Sequence, residues 1–103
     1  MRTLFIDFDL YAEDDPDFKL ELIALMIDNL NELHAAYGVS VNQKDPVIFR
    51  KAYHKVKTTI AMLEDPELNA VVEELKNPDV DPSIVSRFGN IITELIESLS
   101  GVK

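Results

Sequence analysis

The chain predicts an all-α fold: an antiparallel up-down four-helix bundle with a short N-terminal extension. Three observations predict it. Four of the five prolines follow an aspartate, in Asp15-Pro16, Asp45-Pro46, Asp65-Pro66 and Asp81-Pro82. Between these pairs, apolar residues recur at alternating spacings of three and four, the period of one helix face. Glycine, which would break such helices, occurs only three times in 103 residues.

The Asp-Pro pairs are start signals. An aspartate carboxylate accepts hydrogen bonds from the free N–H groups of a first helical turn. Proline at the first helical position loses nothing, because its missing N–H would be unpaired there anyway. Four starts divide the chain into four helices.

The first helix is expected from about Asp17 to Tyr37, with Ile23, Met26, Leu30, Leu33 and Tyr37 on its apolar face and Gly38 as its stop. The second runs from Pro46 to about Leu63 and carries Phe49, Tyr53, Val56, Ile60 and Leu63. The third is short, Pro66 to about Lys76, with Leu68, Val71, Val72 and Leu75. The fourth runs from Pro82 to about Leu99, with Val85, Phe88, Ile92, Leu95 and Leu99. This alternating spacing is the seam of antiparallel bundles. Connections are short except for residues 38–45.

Residues 1–15 differ. Leu4, Ile6, Phe8 and Leu10 alternate with Thr3, Phe5, Asp7 and Asp9, a period of two that Phe5 interrupts. An extended segment, packed across one end of the bundle or paired with its copy in a dimer, is one expectation. A short helix is the other. The whole chain, 1–103, reads as one domain, with the bundle over 16–100.

Composition excludes several function classes. A chain this short, with 47% hydrophobic residues, fills one core and leaves little room for an enclosed substrate cavity. Function is therefore expected on the surface. Cysteine is absent, which removes disulfides, thiolate metal sites and a Cys nucleophile. The N-terminus matches neither a signal peptide nor a membrane span. The expected location is the cytoplasm. A net charge of −9 argues against nucleic acid and acidic membrane as partners.

Half of the ten basic residues fall within fourteen positions: Lys44, Arg50, Lys51, Lys55 and Lys57. They form either an ordinary solvated face or a basic island aimed at an acidic partner. Within that stretch stands His54. At about 100° per residue, the core residues Phe49, Tyr53, Val56, Ile60 and Leu63 fall roughly 180–260° from it. Val47, Arg50, Lys51, Lys57, Thr58 and Ala61 lie within about 60° of it. His54 is thus expected to face solvent, among cations and small side chains. The other histidine, His34, lies at the end of the first helix, where ordinary surface or edge packing accounts for it.

On the residues alone His54 reads as a plain surface histidine, and phosphoryl transfer is a chemistry for which an exposed imidazole qualifies. A phosphoryl carrier needs a nucleophile that is free near neutral pH and reachable by another protein. Nearby cations stabilise the phosphoryl oxygens, and positioning does most of the rest.

The stretch Tyr53-His54-Lys55-Val56-Lys57-Thr58-Thr59 resembles the core motif of histidine phosphotransfer domains. Asp15-Pro16-Asp17-Phe18 and the apolar helix after it are similar to the first long helix of that family. Leu68 and Glu73-Glu74-Leu75 are similar to the helix after its histidine helix. The resemblance covers roughly residues 10 to 99. It implies that His54 accepts the phosphoryl group and that Lys57, one turn on, stabilises it.

The sequence departs from the family pattern at Thr58, where many members have glycine. The Thr58 hydroxyl could bond a phosphoryl oxygen or the imidazole. A second departure is Glu64-Asp65, in place of a glycine-containing turn.

The implied partners are a response-regulator receiver domain and a sensor histidine kinase. Val47, Arg50, Lys51, Lys55 and Ala61 are the expected docking residues. The magnesium of such a transfer belongs to the receiver, so no metal and no cofactor are expected here. Nor is autonomous catalysis, since no phosphate-binding loop is present. A monomer is the default expectation. Two alternatives compete. One is an unphosphorylated interaction module of the same shape, docking receivers or dimerising. The other is a small hydrolase using His54 with a carboxylate, which the absence of acidic residues from the His54 face disfavours.

Overall fold

The computed structural model describes residues 2–77 and 79–102, so Met1 and Lys103, the ends of the expected domain, lie outside the described residues. The chain is all-helical: α1 Phe8–Ala12, α2 Pro16–Gln43, α3 Pro46–Leu63, α4 Pro66–Leu75 and α5 Pro82–Val102. No strand occurs among the described residues.

The aspartates act as the sequence predicts. Asp15 Oδ1 accepts from the amides of Asp17 and Phe18 at 3.0 and 3.2 Å, and Asp45 Oδ1 from that of Val47 at 3.0 Å. Asp65 Oδ1 accepts from the Glu67 and Leu68 amides, and Asp81 Oδ1 from that of Ser83. Asp7 caps α1 in the same way, without a proline.

The helix ends do not follow the glycine rule. Gly38 was the expected stop of the first long helix, yet α2 continues through it to Gln43. A glycine inside a helix costs only about 1 kcal/mol relative to alanine. Continuing past it sets Ser40 in the buried face and brings the chain to the Asp45-Pro46 start of α3. There Lys44 turns left-handed at φ 54°, and the Asp45 amide donates back to the Ser40 carbonyl at 3.0 Å. The connection expected over residues 38–45 therefore shrinks to two residues. Glu13 and Glu64 close α1 and α3 with the same left-handed turn. At 28 residues α2 is about 42 Å long. The longest dimension of the molecule is 43 Å, so α2 spans it.

The core is built from the predicted faces. Ile23, Met26, Leu30, Leu33 and Tyr37 of α2 meet Phe49, Val56, Ile60 and Leu63 of α3, with Leu68, Val71, Val72 and Leu75 of α4. Phe88, Ile91, Ile92, Leu95 and Leu99 of α5 complete it. Tyr53 and Val85, both expected in the core, are only half-buried. Moving back along α2 from Tyr37 to Glu32 to Asn29, the partners on α3 move forward from Phe49 to Lys55 to Thr59. These two helices run in opposite directions.

The N-terminal segment combines both expectations. Arg2, Leu4, Ile6 and Phe8 turn inward while Thr3, Phe5 and Asp7 are exposed, so the period of two holds as far as Phe8. There α1 begins, and Leu10 is exposed. No partner strand accompanies the segment among the described residues. Arg2 fastens it instead. Its guanidinium binds Asp65 through Nε at 2.7 Å and Nη2 at 2.9 Å, and reaches Glu67 at 2.6 Å and Glu94 at 2.9 Å. The Ser98 hydroxyl donates to the Arg2 carbonyl at 2.7 Å. The hydrogen bond that Arg2 donates to Asp65 dominates in raising the Arg2 pKa, against the opposing cost of burial. Burial by itself would raise Asp65, but hydrogen bonds from Arg2 and the Leu68 and Glu67 amides outweigh it and lower its carboxyl below the ordinary value.

Candidate functional site

The candidate site lies on α3, and the rotation of that helix decides what it shows to solvent. Phe49, Val56, Ile60 and Leu63 turn into the core. On the flank toward α2, Asn29 Nδ2 donates to the buried Thr59 Oγ1 at 2.8 Å, and Lys55 Nζ pairs with Glu32 Oε1 at 2.7 Å. On the other flank the Lys76 ammonium stands 4.2 Å from the centre of the Tyr53 ring. Beside it, Arg50 Nη2 donates to the Lys76 carbonyl at 3.5 Å. The helix is thus held on both sides, and one strip is left outward.

That strip contains Val47, Lys51, His54, Lys57, Thr58 and Ala61, all exposed, with Arg50 at its edge. These are the residues expected around His54. Lys55 is set apart from them, about 100° around the helix and tied to α2. Among the described residues, no carboxylate lies within 4 Å of the charged nitrogens of Arg50, Lys51 or Lys57. A protein of net charge −9 therefore carries an uncompensated cationic strip centred on an exposed imidazole.

Helix geometry makes the strip a unit. Residues three and four apart are neighbours, so Lys57 and Thr58 flank His54 on its C-terminal side, with Arg50 and Lys51 on the N-terminal side. Side chains on a helix lean toward its N-terminus, which brings Lys57 and Thr58 back over the turn that bears the imidazole. Such a surface can receive a compact anion at the imidazole nitrogen and neutralise its oxygens. Among the described residues, no three histidine, aspartate or glutamate side chains are grouped so as to hold a metal ion.

His34 is placed differently. It is exposed at the surface of α2, its ring 5.7 Å from that of Phe88 and tilted by 46°. Its Nε2 comes within 3.5 Å of where a side chain on Gly89 would begin. It covers the edge of a core aromatic, as surface packing predicts.

Two contributors were missed in the sequence, Glu32 and Lys76. They hold the flanks of α3 from positions 23 and 26 residues away. No spacing rule within one helix points to them. The register of α2 against α3 would have identified Glu32, once the two-residue connection at Lys44-Asp45 was known. No protein-family model, no curated protein and no solved structure matches the chain.

Proposed function

We propose that this protein is a histidine phosphotransfer module that accepts a phosphoryl group on His54 and passes it to a response-regulator receiver domain. The observation that carries this reading is the free cationic strip: an exposed imidazole at mid-helix, with Lys57 and Thr58 one turn on and no acidic neighbour in contact among the described residues. In the transfer, a lone pair of an imidazole nitrogen forms the N–P bond. The bond from phosphorus to the aspartyl oxygen of the donor breaks, and its electron pair leaves with the carboxylate. Lys57 stabilises the phosphoryl oxygens through charge. The Thr58 hydroxyl donates to one of them, while Val47, Arg50, Lys51 and Ala61 form the docking surface. Lys55 borders it.

The protein acts as a carrier without autonomous catalysis. It is loaded by a sensor kinase or its receiver and works as a cytoplasmic monomer. Its helices α2 to α5 form an up-down antiparallel bundle. The opposed directions of α2 and α3 and the short connections support that topology. No helix among the described residues is long and apolar enough to cross a membrane.

The test is phosphoryl acceptance. The protein is incubated with a phosphorylated receiver domain or a small phosphoramidate, and intact mass is measured for one acid-labile phosphoryl group. The expected label is lost in His54→Gln and kept in His34→Gln. A folded protein that takes no label from several donors would favour the unphosphorylated interaction module.

A further inference from the structure

The lysines among the described residues are not equivalent. Lys19, Lys55 and Lys76 each rest against a carboxylate, of Asp9, Glu32 and Glu73, at 3.5, 2.7 and 2.8 Å. An ammonium so engaged must leave its partner before its nitrogen can attack another atom. Lys44, Lys51 and Lys57 are exposed, and among the described residues no carboxylate lies within 4 Å of their charged nitrogens.

Two of these three flank the imidazole. Lys51 stands three residues before His54 and Lys57 three after it, so both neighbour it on the helix surface. Their directions differ. Helical side chains lean toward the N-terminus, so Lys57 leans over the turn that bears His54 and Lys51 leans away from it. Lys44 precedes α3 and lies ten residues from each histidine. Among the described residues, Lys57 is thus the lysine that is unpaired and also leans toward a base. Charge selects what reaches it. Arg50, Lys51 and Lys57 together attract a compact phosphate dianion to the strip. An acyl phosphate, the mixed anhydride of a carboxylic acid and phosphoric acid, is such a dianion and carries an electrophilic carbonyl carbon beside it.

We propose that Lys57 is a site of acylation by acyl phosphates, with Arg50 and Lys51 holding the phosphate and His54 serving as base. The lone pair of the neutral Lys57 amine forms a C–N bond to the carbonyl carbon. The bond from that carbon to the bridging oxygen breaks, and its electron pair leaves with inorganic phosphate. The surplus proton on the nitrogen passes to the His54 imidazole. The amide carries no charge, so the strip loses the cation that leans on the imidazole. Under the phosphotransfer reading, on which this last consequence rests, the acylated chain is a slower carrier.

The experiment incubates the full chain with acetyl phosphate and follows acid-stable acetyl groups at each lysine by peptide mapping. Lys57 should be acetylated at least about tenfold faster than Lys44 or Lys55. Excess inorganic phosphate should slow Lys57 and spare Lys44. His54→Gln should slow Lys57 about tenfold, to the rate of Lys44. In urea all the lysines should react alike. Acid distinguishes the two chemistries of the strip, because it cleaves a phosphoimidazole and leaves an amide intact. A chain that takes an acid-labile phosphoryl group but shows no preferred acetylation loses the acyl site and keeps the carrier reading. Preferred acetylation without a phosphoryl label does the reverse. Lys57 reacting no faster than Lys44, or slower than Lys51, would overturn the site. An unchanged Lys57 rate in His54→Gln would overturn the role of His54 as base.

Discussion

Asp65 and Arg2 meet across 63 positions of sequence, with Arg2 Nε and Nη2 donating to the two oxygens of one carboxylate at 2.7 and 2.9 Å. The same Oδ1 accepts the Glu67 and Leu68 amides at 3.0 and 3.1 Å. One buried side chain thus starts α4 and anchors the N-terminal segment. Removing either partner leaves a charge with fewer contacts, but the two losses are unequal. Arg2 keeps Glu67 and Glu94, whereas α4 has no second cap. Asp65→Ala should therefore destabilise by about 2–4 kcal/mol, and Arg2→Met by about 1–3 kcal/mol. Urea unfolding of both variants measures this. A larger loss for Arg2→Met would show that the tail anchor outweighs the cap.

The same carboxylate predicts acid sensitivity. The Asp65 pKa is lowered in the fold. Its contribution is fully present above the unfolded value of about 3.9 and is lost as pH falls through the lower folded value. Stability measured downward from about pH 5 should fall more steeply in the wild type than in Asp65→Asn. Parallel curves would mean that other carboxylates govern acid unfolding.

Gly38 and Gly89 both lie inside helices, and no glycine among the described residues has a positive φ. A methyl at Gly38 meets nothing within 4 Å, and one at Gly89 meets only His34 Nε2 at 3.5 Å, an ordinary contact. Alanine at either position should stabilise by about 0.5–1 kcal/mol, because less backbone entropy is lost on folding. Thermal unfolding reads this directly. If Gly38 ended the helix in a left-handed turn, Gly38→Ala would destabilise instead.

The basic residues of α3 should separate into two groups. Lys55 is paired with Glu32 at the surface, so Lys55→Ala should change stability by less than about 1 kcal/mol and barely alter receiver binding. Lys51→Glu should slow association with a receiver about tenfold at low salt, with the difference shrinking as salt rises. Lys57→Gln should slow phosphoryl transfer at least about tenfold while leaving association nearly unchanged. Stopped-flow association and quenched transfer assays distinguish the three. Equal effects of Lys55→Ala and Lys57→Gln would place no special role on the outward strip.

Much of this was legible because it is local. An aspartate before a proline needs only its own next three residues to start a helix, and Asp15, Asp45, Asp65 and Asp81 all do so. Spacings of three and four select Met26, Leu30, Leu33 and Val56 for burial through helix geometry alone. His54 follows by subtraction, since the residue opposite a buried face points outward. Tyr53 shows where subtraction falls short. It shares the core face by angle, yet α4 ends beside it, and its ring supports the Lys76 ammonium.

Sequence alone determined the helical class, four helix starts, the core faces and the outward strip around His54, because each rests on interactions within about one or two helical turns. Tertiary structure decided the rest. It carried α2 through Gly38, since the place where α3 must begin outweighs one residue's preference. It paired Lys55, which helix geometry already sets about 100° from His54, with Glu32, and it made Arg2 the anchor of the N-terminal segment by gathering Asp65, Glu67 and Glu94. These partners are distant in the chain, and only the packed register of the helices brings their charges within hydrogen-bond reach.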